Sequence, residues 1–183
     1  MLGDFMKIGR FVVACVGVLL SGSVQAGNYA VFLSEKYQNF SREPTGTGLG
    51  FTIDASHRRN DTYAIGPGLG LSVPLGALSL FVGGKALYIH SPAAGKGVAT
   101  PVGVAANVRL SNMLSVSSRL FYTPKAAFNS RLGGYVQTGI GVRMNVDPAI
   151  VEVGWRYERI AGRNGASGQK LLNGPYVGLG FTF

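Results

Sequence analysis

Charged side chains that recur on one face of alternating segments are the first candidates for chemistry in this sequence. Asp54, Lys85, Arg109, Arg119, Arg143, Glu152, Arg156 and Glu158 all fall on the polar face of such segments. Glu152 and Arg156 share a face along one strand, because side chains four apart on a strand point the same way. If Asp147-Pro148 is a tight turn, Arg143 stands opposite Glu152. Charges enclosed by a fold need partners. These eight are therefore expected to form a structural ion-paired network, with a polar conduit as the sharper reading. The other chemical candidates are two histidines, each beside a serine: Ser56-His57 and His90-Ser91. A Ser–His pair needs hydrogen-bond contact, and neighbours on a strand point to opposite faces. Asp61 is the nearest carboxylate, and it stands beside neither pair. No catalytic site is expected, and no cofactor. Two distant histidines and one cysteine offer no metal-ligand spacing. The run Gly66-Pro67-Gly68-Leu69-Gly70 leads to no helix start, so it is not a phosphate loop.

The elements that must position these groups read as strands. In Val151-Glu152-Val153-Gly154-Trp155-Arg156-Tyr157-Glu158, apolar and polar residues alternate strictly. Val177, Leu179, Phe181 and Phe183 alternate with Tyr176, Gly178, Gly180 and Thr182. Period two over eight or more residues argues strand. Counting back from the C-terminus gives strands near 174–183, 149–160, 132–146, 113–123, 98–110, 77–90, 62–74 and 47–58. Tight turns at Pro74-Leu75-Gly76, Ser111-Asn112-Met113 and Asp147-Pro148 alternate with longer polar breaks such as Ser91 to Gly97 and Ala161 to Asn173. Roughly ten-residue alternating strands with short turns on one side and longer loops on the other are the pattern of transmembrane barrels. In lipid every backbone group must be paired, which a closed barrel achieves.

The fold class expected is therefore all-β: a small closed antiparallel transmembrane β-barrel of eight strands, with ten as the next count. Leu49, Phe51 and Ile53, Leu69, Leu71 and Val73, Leu78, Leu80 and Val82, Val102, Val104 and Val108, Val116 and Leu120, and Val151 and Val153 should face lipid. Tyr63, Tyr88, Tyr122 and Tyr157 lie near the loop ends and suit an interfacial aromatic belt. The other face is rich in Gly, Ser, Ala and Thr, as a narrow interior needs. Residues 27–45 stay unassigned: an extra strand, a short helix or a strap. Pro67 and Pro101 inside strands each remove a ladder bond and suggest bulges or strand ends.

Residues 1–26 read as a secretory signal. Lys7 and Arg10 precede the apolar run Phe11 to Leu20, and Val24-Gln25-Ala26 resembles a cleavage site. The domain layout expected is thus a signal at 1–26 and a barrel at 27–183. Cys15 would leave with the signal; with four apolar residues between it and Arg10, it makes a poor lipidation site. The formal charge is +9, but the basic residues are dispersed. Nucleic-acid binding needs a clustered basic face, so outer-membrane lipids and lipopolysaccharide are the expected partners. Phe183 ends an alternating strand and resembles the C-terminal assembly signal read by the barrel-assembly machinery.

Several ordered blocks carry a family resemblance. They are Gly68-Leu69-Gly70-Leu71 with Pro74-Leu75-Gly76, Val82-Gly83-Gly84-Lys85 with Tyr88, Tyr122-Thr123-Pro124, Glu152-Val153-Gly154-Trp155-Arg156-Tyr157, and Asn173-Gly174-Pro175-Tyr176-Val177-Gly178. With these, residues 60–183 resemble the YfaZ family of Gram-negative outer-membrane proteins. The resemblance implies a signal-bearing small outer-membrane barrel. It implies no particular activity and carries over no functional residue. Three functions are then open: a structural or interaction barrel with a filled lumen, a narrow porin-like channel for small solutes, and a lipid A-modifying enzyme. The first is expected.

Overall fold

The computed structural model describes residues 27–34, 37–44, 46–58, 61–93, 95–124, 132–162 and 168–182. The expected signal at 1–26 and the terminal Phe183 lie outside the described residues. Twelve strand segments follow one another: β1 (Gly27–Ser34), β2 (Tyr37–Pro44), β3 (Gly48–Arg58), β4 (Thr62–Leu75), β5 (Leu78–Lys85), β6 (Leu87–Ser91), β7 (Gly95–Ala99), β8 (Val102–Arg109), β9 (Leu114–Thr123), β10 (Leu132–Val146), β11 (Ala149–Gly162) and β12 (Gln169–Thr182). Every pairing is antiparallel. The ring closes where β1 meets β12, Asn28 opposite Thr182 and Leu33 opposite Val177. β5 and β6 succeed each other along β4, and β6 and β5 pair in turn with β7 and β8. The wall is therefore a closed barrel of ten strands.

Ten is the larger of the two expected counts. The added pair is the hairpin β1–β2, from the segment left unassigned by pattern. Its signal is weak because β2 is polar on both faces. Tyr37, Asn39, Ser41 and Glu43 point inward, while Gln38, Phe40 and Arg42 point outward. Arg42 keeps its charge on the outer face by lying over the rings of Tyr29 and Phe51 and donating to the Phe51 carbonyl at 3.2 Å.

The other strands keep their expected places, except that β12 begins at Gln169 rather than near 174 and β7 at Gly95 inside the expected Ser91–Gly97 loop, and there are two interruptions. Residues 77–90 break at Ala86, and 98–110 break at Thr100-Pro101. The two prolines flank this fault. The Ala86 amide donates to the Pro67 carbonyl and the Lys85 amide to the Pro101 carbonyl, both at 2.8 Å. Gly66 is required here, because a Cβ would sit 1.8 Å from the Ala86 carbonyl oxygen. Elsewhere the short turns are tight. Gly76, at φ +65°, turns β4 into β5. The Ser111 hydroxyl accepts the amides of Met113 and Leu114 at 3.3 and 3.0 Å between β8 and β9.

The apolar set lies outside as expected. Leu49, Leu69, Leu71, Val82, Val102, Leu120 and Val153 are all exposed, with Trp155, Leu179 and Phe181 beside them. Such a surface is stable only against lipid. Tyr88 and Tyr122 are exposed near the long-loop end, and the Tyr63 and Tyr88 rings lie 6.1 Å apart.

Candidate functional site: the lumen

Alternation delivers polar side chains from nearly every strand into one enclosed volume. Toward the end carrying the short turns, Glu43 of β2 reaches two cations. It pairs with Arg119 of β9 and, at 3.1 Å, with Arg143 of β10. Arg143 also holds Glu152 of β11 at 2.6 and 2.8 Å through two nitrogens, and the two residues face each other across the β10–β11 ladder. Glu152 accepts further bonds from the Ser117 hydroxyl at 3.1 Å and from the Tyr176 hydroxyl. Gly141 and Gly154 make room for that phenol, since a Cβ on either would lie within 2.8 Å of its oxygen.

A ring separates this cluster from the next. Phe32 of β1 is fully buried, with the Arg156 guanidinium 4.5 Å and the Arg119 guanidinium 5.6 Å from its centroid, and Tyr176 packs edge-on at 5.1 Å. Arg156 donates to the Asn39 side chain. Beyond it, Glu158 accepts from Tyr37 at 3.0 Å and from Gln137 at 2.8 Å. Gln137 in turn accepts from Lys85 at 2.9 Å. Lys85 pairs with Asp54 at 2.5 Å and lies 3.7 Å over the Phe121 ring.

Seven of the eight residues expected in the network are thus inside. Arg109 is the exception. It sits at the end of β8, exposed at the short-turn rim, opposite Ser115 of β9. Pattern reading missed Glu43, Asn39, Tyr37 and Phe32, all on the unassigned β1–β2 hairpin, and Gln137, which carries no charge to flag it. With Glu43 included the interior balances: Asp54, Glu43, Glu152 and Glu158 stand against Lys85, Arg119, Arg143 and Arg156.

Toward the long loops the lumen turns apolar. Leu87, Ile89, Leu132, Tyr135, Ile160 and Leu171 form a buried cluster across it. Toward the short turns a cavity of about 60 Å³ remains, bounded by Ser41, Thr52, Asp54, Ser72, Lys85 and Asn107. That is room for a few waters. The Ser–His candidates are not brought together. Ser56 points inward to Tyr37 and Asn39, both at 3.0 Å, while His57 is on the outer face. Ser91 points inward to Gln169, while His90 lies outside against Tyr63 at 5.2 Å.

A closed antiparallel barrel, apolar outside and ion-paired within, is the architecture of a bacterial outer-membrane protein. A family described as YfaZ precursor matches residues 8–183. The chain belongs to the YfaZ family. The Outer membrane protein YfaZ of Escherichia coli (strain K12) is 30% identical over 171 residues, covering 91% of this chain and 93% of that one. No solved structure matches. As a YfaZ-family barrel the protein resides in the outer membrane. With an even strand count, both ends of the described barrel lie at the short-turn, periplasmic rim, and the long loops face outward.

Proposed function

We propose that this YfaZ-family barrel is a structural and interaction element of the outer membrane, with its lumen filled by side chains, and that it performs no catalysis. The observation that carries the reading is the occluded lumen. Balanced ion pairs fill the middle, and the cluster from Leu87 to Leu171 closes the outer end. A wall of ten strands could leave space for solutes, so the filling is a property of these side chains. Its partners in this reading are outer-membrane lipids and lipopolysaccharide around the wall and loops, and the assembly machinery that reads the C-terminal strand. The test is planar-bilayer conductance of the refolded protein. A flat trace under applied voltage is expected; discrete, reproducible openings would replace this reading with that of a narrow channel, whose periplasmic mouth would be the cavity beside Asp54 and Lys85.

A further inference from the structure

The barrel wall has a notch. β1 pairs with β12 only as far as Leu33 opposite Val177, and then turns back as β2. β12 continues from Tyr176 to Gln169, and along that stretch it has no strand partner on the β1 side among the described residues. The cleft left there is about 550 Å³, and Leu33, Tyr37, Arg58, Lys170, Pro175 and Val177 are among the residues that bound it.

Its depth is set by its neighbours. Trp155 and Tyr157 of β11 stand opposite Pro175 and Asn173. Aromatic side chains of this kind mark the membrane–water interface. The notch therefore spans the outer interface. Its lower part is apolar, with Leu33 and Val177 both exposed to the leaflet. Its upper part is basic. Arg58 reaches across from β3 to the Lys170 carbonyl. Lys170 is exposed on β12, and exposed Arg159 is its ladder partner on β11. The carboxylate nearest to Arg58 in sequence, Asp61, is exposed on the β3–β4 turn.

A strand edge with no partner among the described residues is costly in lipid unless covered. Apolar below and cationic above is the complement of a phosphorylated lipid. We propose that the notch is a lateral binding site for an outer-leaflet lipid with a phosphate head group. Arg58 and Lys170 hold the phosphate, and an acyl chain lies on Leu33, Pro175 and Val177. The proposal rests on the reading of this protein as a lipid-contacting barrel and gives that contact an address.

The protein carries its own probe. Trp155 is its single tryptophan, and its indole donates to the Asn173 side chain, on the notch wall, at 3.3 Å. The refolded protein in phosphatidylcholine vesicles would receive, at equal mole fraction, either brominated phosphatidylglycerol or brominated phosphatidylcholine with the same chains. Stronger quenching of Trp155 by the anionic lipid is expected. The preference should fall about fivefold for each cation removed, in Lys170→Gln and then in Arg58→Gln/Lys170→Gln, with heat-shifted gel mobility confirming that each variant is folded. Excess inorganic phosphate, against chloride of equal ionic strength, should leave the preference in place. Equal quenching by the two lipids would overturn the proposal. So would a preference unchanged in the folded double variant, or one abolished by free phosphate. A conducting barrel would overturn the filled-lumen reading while leaving the lipid preference intact, so the two failures are distinguishable.

Discussion

Replacing Glu152 by Gln tests whether the lumen is held by charge. The carboxylate is 1% exposed and accepts bonds from Arg143, Ser117 and Tyr176. Gln keeps the volume and loses the charge. Its amide nitrogen can only donate, so one of the two oxygen positions stops accepting. Arg143 keeps Glu43 at 3.1 Å but loses the negative charge it now holds at 2.6 and 2.8 Å. The interior then carries one uncompensated cation. Breaking a buried pair from one side costs about 3–5 kcal/mol. Because Glu43 still shares Arg143, the lower end, about 3 kcal/mol, is expected. The assay is equilibrium urea unfolding in lipid vesicles, followed by Trp155 fluorescence. Arg109→Gln, at the exposed rim, is the control and should change stability by no more than about 0.5 kcal/mol. A double-mutant cycle with Arg143→Met isolates the pair and should return a coupling of about 1–3 kcal/mol. If Glu152→Gln costs no more than Arg109→Gln, the network is ornamental and the argument from burial fails.

Other outcomes follow from the same packing. Phe32→Ala removes the ring between Arg156 and Arg119 and should cost about 3–5 kcal/mol in the same unfolding assay; a loss under about 1 kcal/mol would mean the ring is not a packing element. Gly178→Val should block assembly, because a Cβ there would lie 2.5 Å from the Phe32 ring. Loss of the heat-shifted band in gels reads this, and Phe32→Ala/Gly178→Val should recover it. Truncating the outer cap in Leu87→Ala/Tyr135→Ala/Leu171→Ala should raise bilayer conductance above the flat trace expected of the unmodified protein. Unchanged conductance in the folded variant would show that the ion-paired layer alone seals the lumen.

How much of this was legible in the sequence depended on contrast between the two faces of each strand. β11 was readable because Val153 and Trp155 alternate with Glu152 and Arg156, and the register Arg143 opposite Glu152 followed from the two-residue turn at Asp147-Pro148. β2 was not readable. Phe40 and Arg42 on its outer face differ little in polarity from Tyr37 and Glu43 on its inner face, so the period-two signal vanishes. Arg42 is tolerated outside only because Tyr29 and Phe51 cover it, a contact that exists only after three strands have paired. The apolar cap was equally hidden. Leu87, Ile89, Leu132 and Ile160 are inward on strands whose inward positions are elsewhere mostly small or polar. Pattern assigns apolar residues to lipid, yet Leu87 and Ile89 keep the inward parity of Phe81 and Lys85 across the break at Ala86, and a bulge between Leu132 and Gly134 turns Leu132 inward.

The polar interior also explains how a barrel with lipid on one side fixes its register. Sliding β11 by one residue would carry Glu152, Arg156 and Glu158 to the lipid face and bring Val153, Trp155 and Tyr157 inside. An arginine at the bilayer midplane costs about 2–4 kcal/mol. The slip would also strand Arg143, Asn39, Gln137 and Tyr37, which now bond those three residues. An interior of Leu and Val would give no such penalty, since apolar side chains are equally at home in the lumen and in lipid. Charge in the lumen therefore distinguishes inside from outside where hydrophobicity cannot. Among the inter-strand ladders, β10–β11 and β11–β12 are the most extended, and they bring Arg143 opposite Glu152 and Glu152 opposite Gly178, the glycine that admits Phe32. The strand that carries more of the interior charge than any other is thus the one with the longest ladders on both sides, so an error in its register is opposed from several strands at once.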